Sequence, residues 1–222
     1  MRPVTVRNLL LLALSAAAAA TDAISYLGLG KVFPANMTGN TVLLGIGATT
    51  GDAAAALRSA TALGGFAAGA AIAGLLRSAR YFLIAMALEL LPAGALYGYW
   101  LTLPRTPHGA ARFTLIALAG TAMGIQSGAV RRLGISGVNT TFITGTWTDL
   151  MLGITGGFRG EAAQRGPGLH APVLLVYLGG ALVAGLLYHR FGAQAYAAPL
   201  ALLVLVTATV AAVPELRTMR SP

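Results

Sequence analysis

Gly69-Ala70-Ala71-Ile72-Ala73-Gly74-Leu75-Leu76 returns later in the chain as Gly180-Ala181-Leu182-Val183-Ala184-Gly185-Leu186-Leu187, and an arginine follows each copy within three residues. Small residues at this spacing let helix backbones approach closely in lipid. Working outward, Met37-Thr38-Gly39-Asn40-Thr41 parallels Ile143-Thr144-Gly145-Thr146-Trp147. Each then enters an apolar stretch containing Leu-Gly-Ile, at Leu44 to Ile46 and at Leu152 to Ile154. Further upstream, Asp22 near the end of the first apolar run matches Gln126 near the end of the fourth. The offsets stay between 104 and 111 residues and the order is the same. The chain therefore reads as one membrane domain, 1–222, built from two homologous halves, 1–105 and 106–222.

Composition fixes the solvent. Of 222 residues, 56% are hydrophobic and 9% charged, and the mean hydropathy is +0.75. A soluble domain carries about 25% charged residues because its surface faces water, so most of this surface must face a lipid bilayer. Cysteine is absent, which excludes disulfides and thiolate chemistry. His108, His170 and His189 lie far apart without metal-ligand spacing, and no metal or other cofactor is expected. The net charge of +9 comes from Lys and Arg placed between apolar runs, as in the loops of membrane proteins. No basic stripe interleaves with aromatics, so nucleic acid is not an expected partner.

A spanning helix needs about 20 mostly apolar residues. Six stretches qualify, at 8–29, 56–76, 81–102, 112–130, 171–189 and 194–213. Two shorter runs, 38–50 and 141–155, are flanked or interrupted by Gly, Thr and Asn and reach only about 20 Å of a core about 30 Å thick; the chain has six spans if they re-enter, and eight, with parallel halves, if both cross. The expected fold is thus an all-α polytopic membrane protein of about six full transmembrane helices plus two short interrupted segments. Arg2 and Arg7 followed by an apolar run also fit a secretory signal, but the run resumes past Asp22 and has a counterpart in the second half.

With six spans, the amino-terminal side holds Arg2, Arg7, Arg77, Arg80, Arg131, Arg132, Arg159, Arg165, Arg217 and Arg220. The other side holds Lys31, Arg58, Arg105, Arg112 and Arg190. Cytoplasmic loops carry the excess of positive charge, so both termini are expected in the cytoplasm. Three spans per half make the second half enter from the opposite side. The expectation is an inverted repeat, a plan that secondary transporters use to place solute between the halves.

Two carboxylates stand inside apolar runs. Asp22 could accept a proton, ligate a cation or cap the following turn, and insertion of its charged form costs at least about 2.5–3.5 kcal/mol. Glu89, in Met86-Ala87-Leu88-Glu89-Leu90-Leu91, could carry a proton or serve as a protonated hydrogen-bonding link between helices. Thr38, Gly39 and Asn40, with Thr144, Gly145 and Thr146, each begin a short segment. As half-helix starts they offer unpaired N–H groups and a positive dipole end to a solute; ordinary capping is the simpler alternative. Gln126, Trp147 and Asp149 are the matching polar positions of the second half. Arg58 reads as a boundary residue that snorkels. No hydrolase, kinase or dinucleotide motif is present, no catalytic residue is assigned, and an enzyme is not expected.

Asp22-Ala23-Ile24-Ser25 followed by Val32-Phe33-Pro34-Ala35-Asn36-Met37-Thr38-Gly39-Asn40-Thr41 resembles the signature of the YoaK family of small bacterial inner-membrane proteins. Met123-Gly124-Ile125-Gln126 and Thr140-Thr141-Phe142-Ile143-Thr144-Gly145-Thr146 resemble its second signature. The resemblance implies about six spans in a bacterial inner membrane and carries no activity with it. The functional expectation rests on the residues: a secondary transporter or permease for a small molecule or ion. Asp22 and Glu89 would couple proton or cation movement, and Thr38, Gly39, Asn40, Gln126, Thr144, Gly145 and Thr146 would meet the solute. An uncoupled channel and a non-transporting membrane partner are the alternatives, and a homodimer would supply a larger scaffold.

Overall fold

The computed structural model describes residues 3–133, 143–158 and 169–217. Among them the order is α1 (Pro3–Gly28), α2 (Met37–Thr50), α3 (Ala53–Leu75), α4 (Tyr81–Leu101), α5 (Gly109–Arg131), α6 (Ile143–Phe158), α7 (His170–Phe191), a 3-10 turn (Gly192–Tyr196), α8 (Ala197–Ala212) and α9 (Pro214–Arg217). Five segments are long and apolar enough to cross a membrane: Thr5–Gly28, Ala53–Leu75, Tyr81–Leu101, Gly109–Arg131 and His170–Ala212. The last has 43 residues, about 65 Å of helix and twice a bilayer core, and the 3-10 turn after Phe191 breaks it. The two short runs expected from the sequence are α2, of 14 residues, and α6, of 16. Thr140 to Phe142 lie outside the described residues.

Local chemistry sets the ends. After α1 the chain turns through Gly30 (φ +93°) and Lys31 (φ +64°), where the Lys31 N–H donates to the Tyr26 carbonyl at 3.0 Å. Asn36 caps α2 by accepting from Gly39 N–H, and Gly51 closes it in the left-handed conformation. Asp52 then caps α3 by accepting from Ala55 N–H, so α2 and α3 form a tight hairpin. Pro92 lies within α4 and offers no N–H to the Leu88 carbonyl, next to Glu89.

The closest packing joins α3 to α5, where a Cβ on Gly69 or Gly124 would collide with the backbone of Thr121 or Phe66. Gly65 meets Ala117, Gly69 meets Thr121 and Gly128 meets Ala73, so these two helices run in the same direction. α1 and α7 also run together, with Gly180 against Ala16 and Tyr188 reaching Gly28. Exchanging the halves turns the α3–α5 contact into α7–α1, α4–α5 into α8–α1, and α2–α3 into α6–α7. All of these contacts are present.

The outer surface is apolar, with Leu75 76% and Leu186 72% exposed. Several polar side chains, by contrast, are buried. That inversion of the soluble pattern suits a protein whose solvent is lipid. The surface also carries open apolar grooves, among them one of about 500 Å³ between Ala16, Ala20, Gly180, Val183 and Leu202.

Candidate functional site

The Asp22 side chain is 5% exposed on α1, and both its oxygens are engaged. One accepts from Ala35 N–H at 2.7 Å and the other from the Tyr177 hydroxyl at 3.0 Å. The carboxyl thus ties α1 to the segment before α2 and to α7. Ala35 is drawn back beside a residue six positions inside the end of α1, so the segment 29–36 folds inward along the helix.

Asn40 holds the same segment from its other side. Its amide donates to the Phe33 carbonyl at 2.7 Å and its carbonyl oxygen accepts from Phe33 N–H at 3.1 Å. Thr38 is exposed and Gly39 half-buried, whereas Asn40 is fully buried. The second half repeats this order: Thr144 exposed, Gly145 half-buried, Thr146 buried. The third position of each Thr-Gly motif therefore points into the protein, and the first does not. Gln126, fully buried on α5, donates to the Leu14 carbonyl on α1 at 3.2 Å, which links the halves.

On another face of α1 the polar groups lack such partners. Thr21 and Ser25, one turn apart and both fully buried, form no side-chain hydrogen bond among the described residues. The same face continues to Gly28, which packs beneath Trp100 of α4. Glu89, Ala93, Leu96 and Trp100 form one buried stripe of α4. Neither Glu89 carboxyl oxygen has a hydrogen-bond partner among the described residues, and the Glu89 side chain is 0% exposed. Tyr196, from the 3-10 turn that packs on both α1 and α4, places its hydroxyl beside Thr21 and within electrostatic reach of Glu89. It too forms no geometric hydrogen bond there.

Asp22 and Glu89 therefore do not share a site. Asp22 faces α7 and the 29–36 segment, while Glu89 faces the interior between α1 and α4. The first Thr-Gly motif reaches the 29–36 segment that Asp22 holds, through Asn40. Tyr177 and Tyr196 do not stand out in the sequence as polar partners, since tyrosine in or beside an apolar run is ordinary. Only their distance from Asp22 and Glu89 in three dimensions sets them apart. No group of three metal-binding side chains occurs among the described residues.

The family comparison adds to this picture. A family model described as "Protein of unknown function (DUF1275)" matches residues 10–209. The UPF0700 transmembrane protein YoaK of Bacillus subtilis (strain 168) is 36% identical over 194 residues, covering 81% of this chain and 83% of that protein. No solved structure matches. An all-helical chain with several apolar membrane-length segments, matched along most of its length by this family and by a transmembrane relative, is a transmembrane protein and a member of the DUF1275 family.

Proposed function

We propose that the protein is a secondary transporter for a small solute, with proton movement through Glu89 inside a six-span inverted repeat. The observation that carries this reading is the Glu89 carboxyl, fully buried and without a hydrogen-bond partner among the described residues, within electrostatic reach of the buried Tyr196 hydroxyl. Leaving a buried polar group unsatisfied costs about 1–3 kcal/mol. A group kept at such cost in lipid is a functional candidate by default.

The topology supports the same reading. Gly28, Trp100 and Tyr188 meet, so α1, α4 and α7 end on one side. α3 and α5 begin there, because Arg58 and Arg112 both lie at Gly30. On the other side, Arg132 at the end of α5 caps α3 through the carbonyls of Ala73 and Leu76, and lies over the Tyr81 ring at the start of α4. α2 thus returns the chain to the side it left, and by the exchange of halves α6 does the same. These contacts support the reading of six crossings in an inverted repeat. The arginine count then places both termini in the cytoplasm of a bacterial cell, with the bundle in its inner, cytoplasmic membrane.

In this mechanism Glu89 is the proton carrier and Tyr196, Thr21 and Ser25 are its exchange partners. Asp22 holds the 29–36 segment against α7 and releases it when protonated. Asn40, Gln126 and Thr146 face inward toward the solute, with Thr38, Gly39, Thr144 and Gly145 at the segment starts. A non-transporting role is favoured by one observation, that Asp22 and Asn40 spend their hydrogen bonds on the chain itself. The test is proteoliposomes loaded with a pH-sensitive dye and challenged with a panel of anionic, cationic and neutral small solutes. Solute-dependent proton flux that Glu89→Gln abolishes supports the transporter. Solute flux without proton movement identifies a channel, and no flux across the panel supports the partner role.

A further inference from the structure

Gly30 carries two arginines from different helices. Arg58 of α3 donates its Nε–H to the Gly30 carbonyl at 3.0 Å. A Cβ on Gly30 would lie 2.9 Å from both Cδ and Nε of Arg58 and 3.3 Å from Nη1 of Arg112 on α5. Lys31 follows directly and is the only non-glycine residue with positive φ among the described residues. That conformation costs an ordinary residue roughly 1–2 kcal/mol, so the turn is held by the contacts around it.

Among the described residues these charges have no counter-charge. Arg112 uses Nε on the Pro107 carbonyl at 2.7 Å, and its Nη2 approaches His108 Nδ1 at 3.2 Å. Its Nη1, and both terminal nitrogens of Arg58, form no hydrogen bond among the described residues. No carboxylate pairs with either arginine there: Asp22 is spent on Ala35 and Tyr177, and Asp52 on the start of α3. Two half-buried guanidiniums over one glycine repel each other, and the energy is appreciable away from bulk water. An oxyanion between them would remove the repulsion and fill the free donors, because the guanidinium fork matches carboxylate and phosphate oxygens.

The geometry points to an oxyanion clamp formed by Arg58, Arg112 and Lys31 at the end of the bundle where α1, α4 and α7 finish, taking a carboxylate or phosphate group. It deepens the transport reading, on which its role as solute selection rests. The clamp sits on one end of the 29–36 segment, and Asp22 grips the other. An anion arriving at Gly30 therefore bears on the element that the buried carboxyl holds in place. The same chemistry could come from a free solute or from a phospholipid headgroup.

Thermal unfolding of the full chain in phosphatidylcholine nanodiscs, with sodium phosphate or sodium acetate against sodium chloride at matched ionic strength, tests the clamp. Saturable stabilisation by phosphate or acetate and not by chloride is the expected result. Arg112→Gln should weaken it about tenfold, and Arg112→Lys should recover part of the loss because charge returns without the fork. Lys31→Gln, at an exposed site that makes no side-chain hydrogen bond, should weaken it severalfold without disturbing the fold. Stabilisation seen only when phosphatidylglycerol is added upholds the clamp and assigns it to the lipid headgroup. No response to either anion or to the lipid, or a response that all three variants leave unchanged, overturns it. Anion binding without flux in the proteoliposome panel would sink the transport reading alone, and flux of non-anionic solutes without anion binding would sink the clamp alone.

Discussion

The α3–α5 seam and the α1–α7 seam each join one half of the chain to the other and change places when the halves are exchanged, yet they are held by different chemistry. Along α3–α5, glycines on both helices bring backbone against backbone, with Gly65, Gly69, Gly120 and Gly124 each in close approach. Along α1–α7 the close approach is made at Gly180, and the Asp22–Tyr177 hydrogen bond joins the same two helices. A seam of interlocked backbones has one arrangement, because interiors this dense do not deform continuously. A seam that depends on a carboxyl can be opened by changing one proton. The difference suggests that α3–α5 is the fixed frame and that α1, whose Asp22 makes the hydrogen bond to Tyr177 that such a proton change can break, is the moving element.

The sharpest way to break this contrast is Gly124→Leu. The new side chain has nowhere to go but into the Phe66 backbone, so a loss of about 3 kcal/mol or more is expected from unfolding in mixed detergent. Gly64→Ala, with nothing within 4 Å of its Cβ, should change stability by no more than about 0.5 kcal/mol. If the two variants behave alike, α3–α5 is not a rigid frame. Asp22→Ala comes next. It leaves Ala35 N–H and the Tyr177 hydroxyl unpaired in the interior, for a loss of about 2–4 kcal/mol and earlier proteolytic cleavage in the 29–36 segment.

Glu89→Leu should act in the opposite direction. Removing a buried acid with no partner stabilises the fold by about 1–2 kcal/mol while abolishing proton-coupled flux. A destabilised Glu89→Leu would mean that the carboxyl is structural. Tyr177→Phe sharpens the comparison with the smallest expected change, about 0.5–1.5 kcal/mol. Because it keeps the ring and removes one hydrogen bond, it should raise amide exchange in 29–36 and leave α3 and α5 unaffected.

Much of the architecture could be read in advance. Helix lengths follow from apolar run length, because lipid thickness and the 1.5 Å rise leave few alternatives. The short α2 and α6 and the exchange of helix contacts between halves follow from the repeated Thr-Gly and Gly-Ala strings. The buried carboxyls could be found because charge is rare in such runs. Their separation could not. Asp22 and Glu89 look equivalent in one dimension, and whether both meet the Thr-Gly motifs was open in the sequence, because it depends on which face of α1 and α4 each occupies. Arg58 read as a snorkelling boundary residue, yet it holds Gly30 together with an arginine that lies 54 positions further along the chain.

The sequence by itself therefore determined that this chain lives in a membrane, how long its helices are, that its Thr-Gly and Gly-Ala strings recur in the same order and which acids are out of place. These properties depend on composition and on periodicity along the chain, and they survive without knowledge of packing. Only the tertiary structure decided that Asp22 is satisfied while Glu89 has no hydrogen-bond partner among the described residues, and that two arginines from different helices meet at one glycine. Hydrogen bonding and charge pairing act over a few ångströms, between groups that the chain brings together from up to 155 residues away.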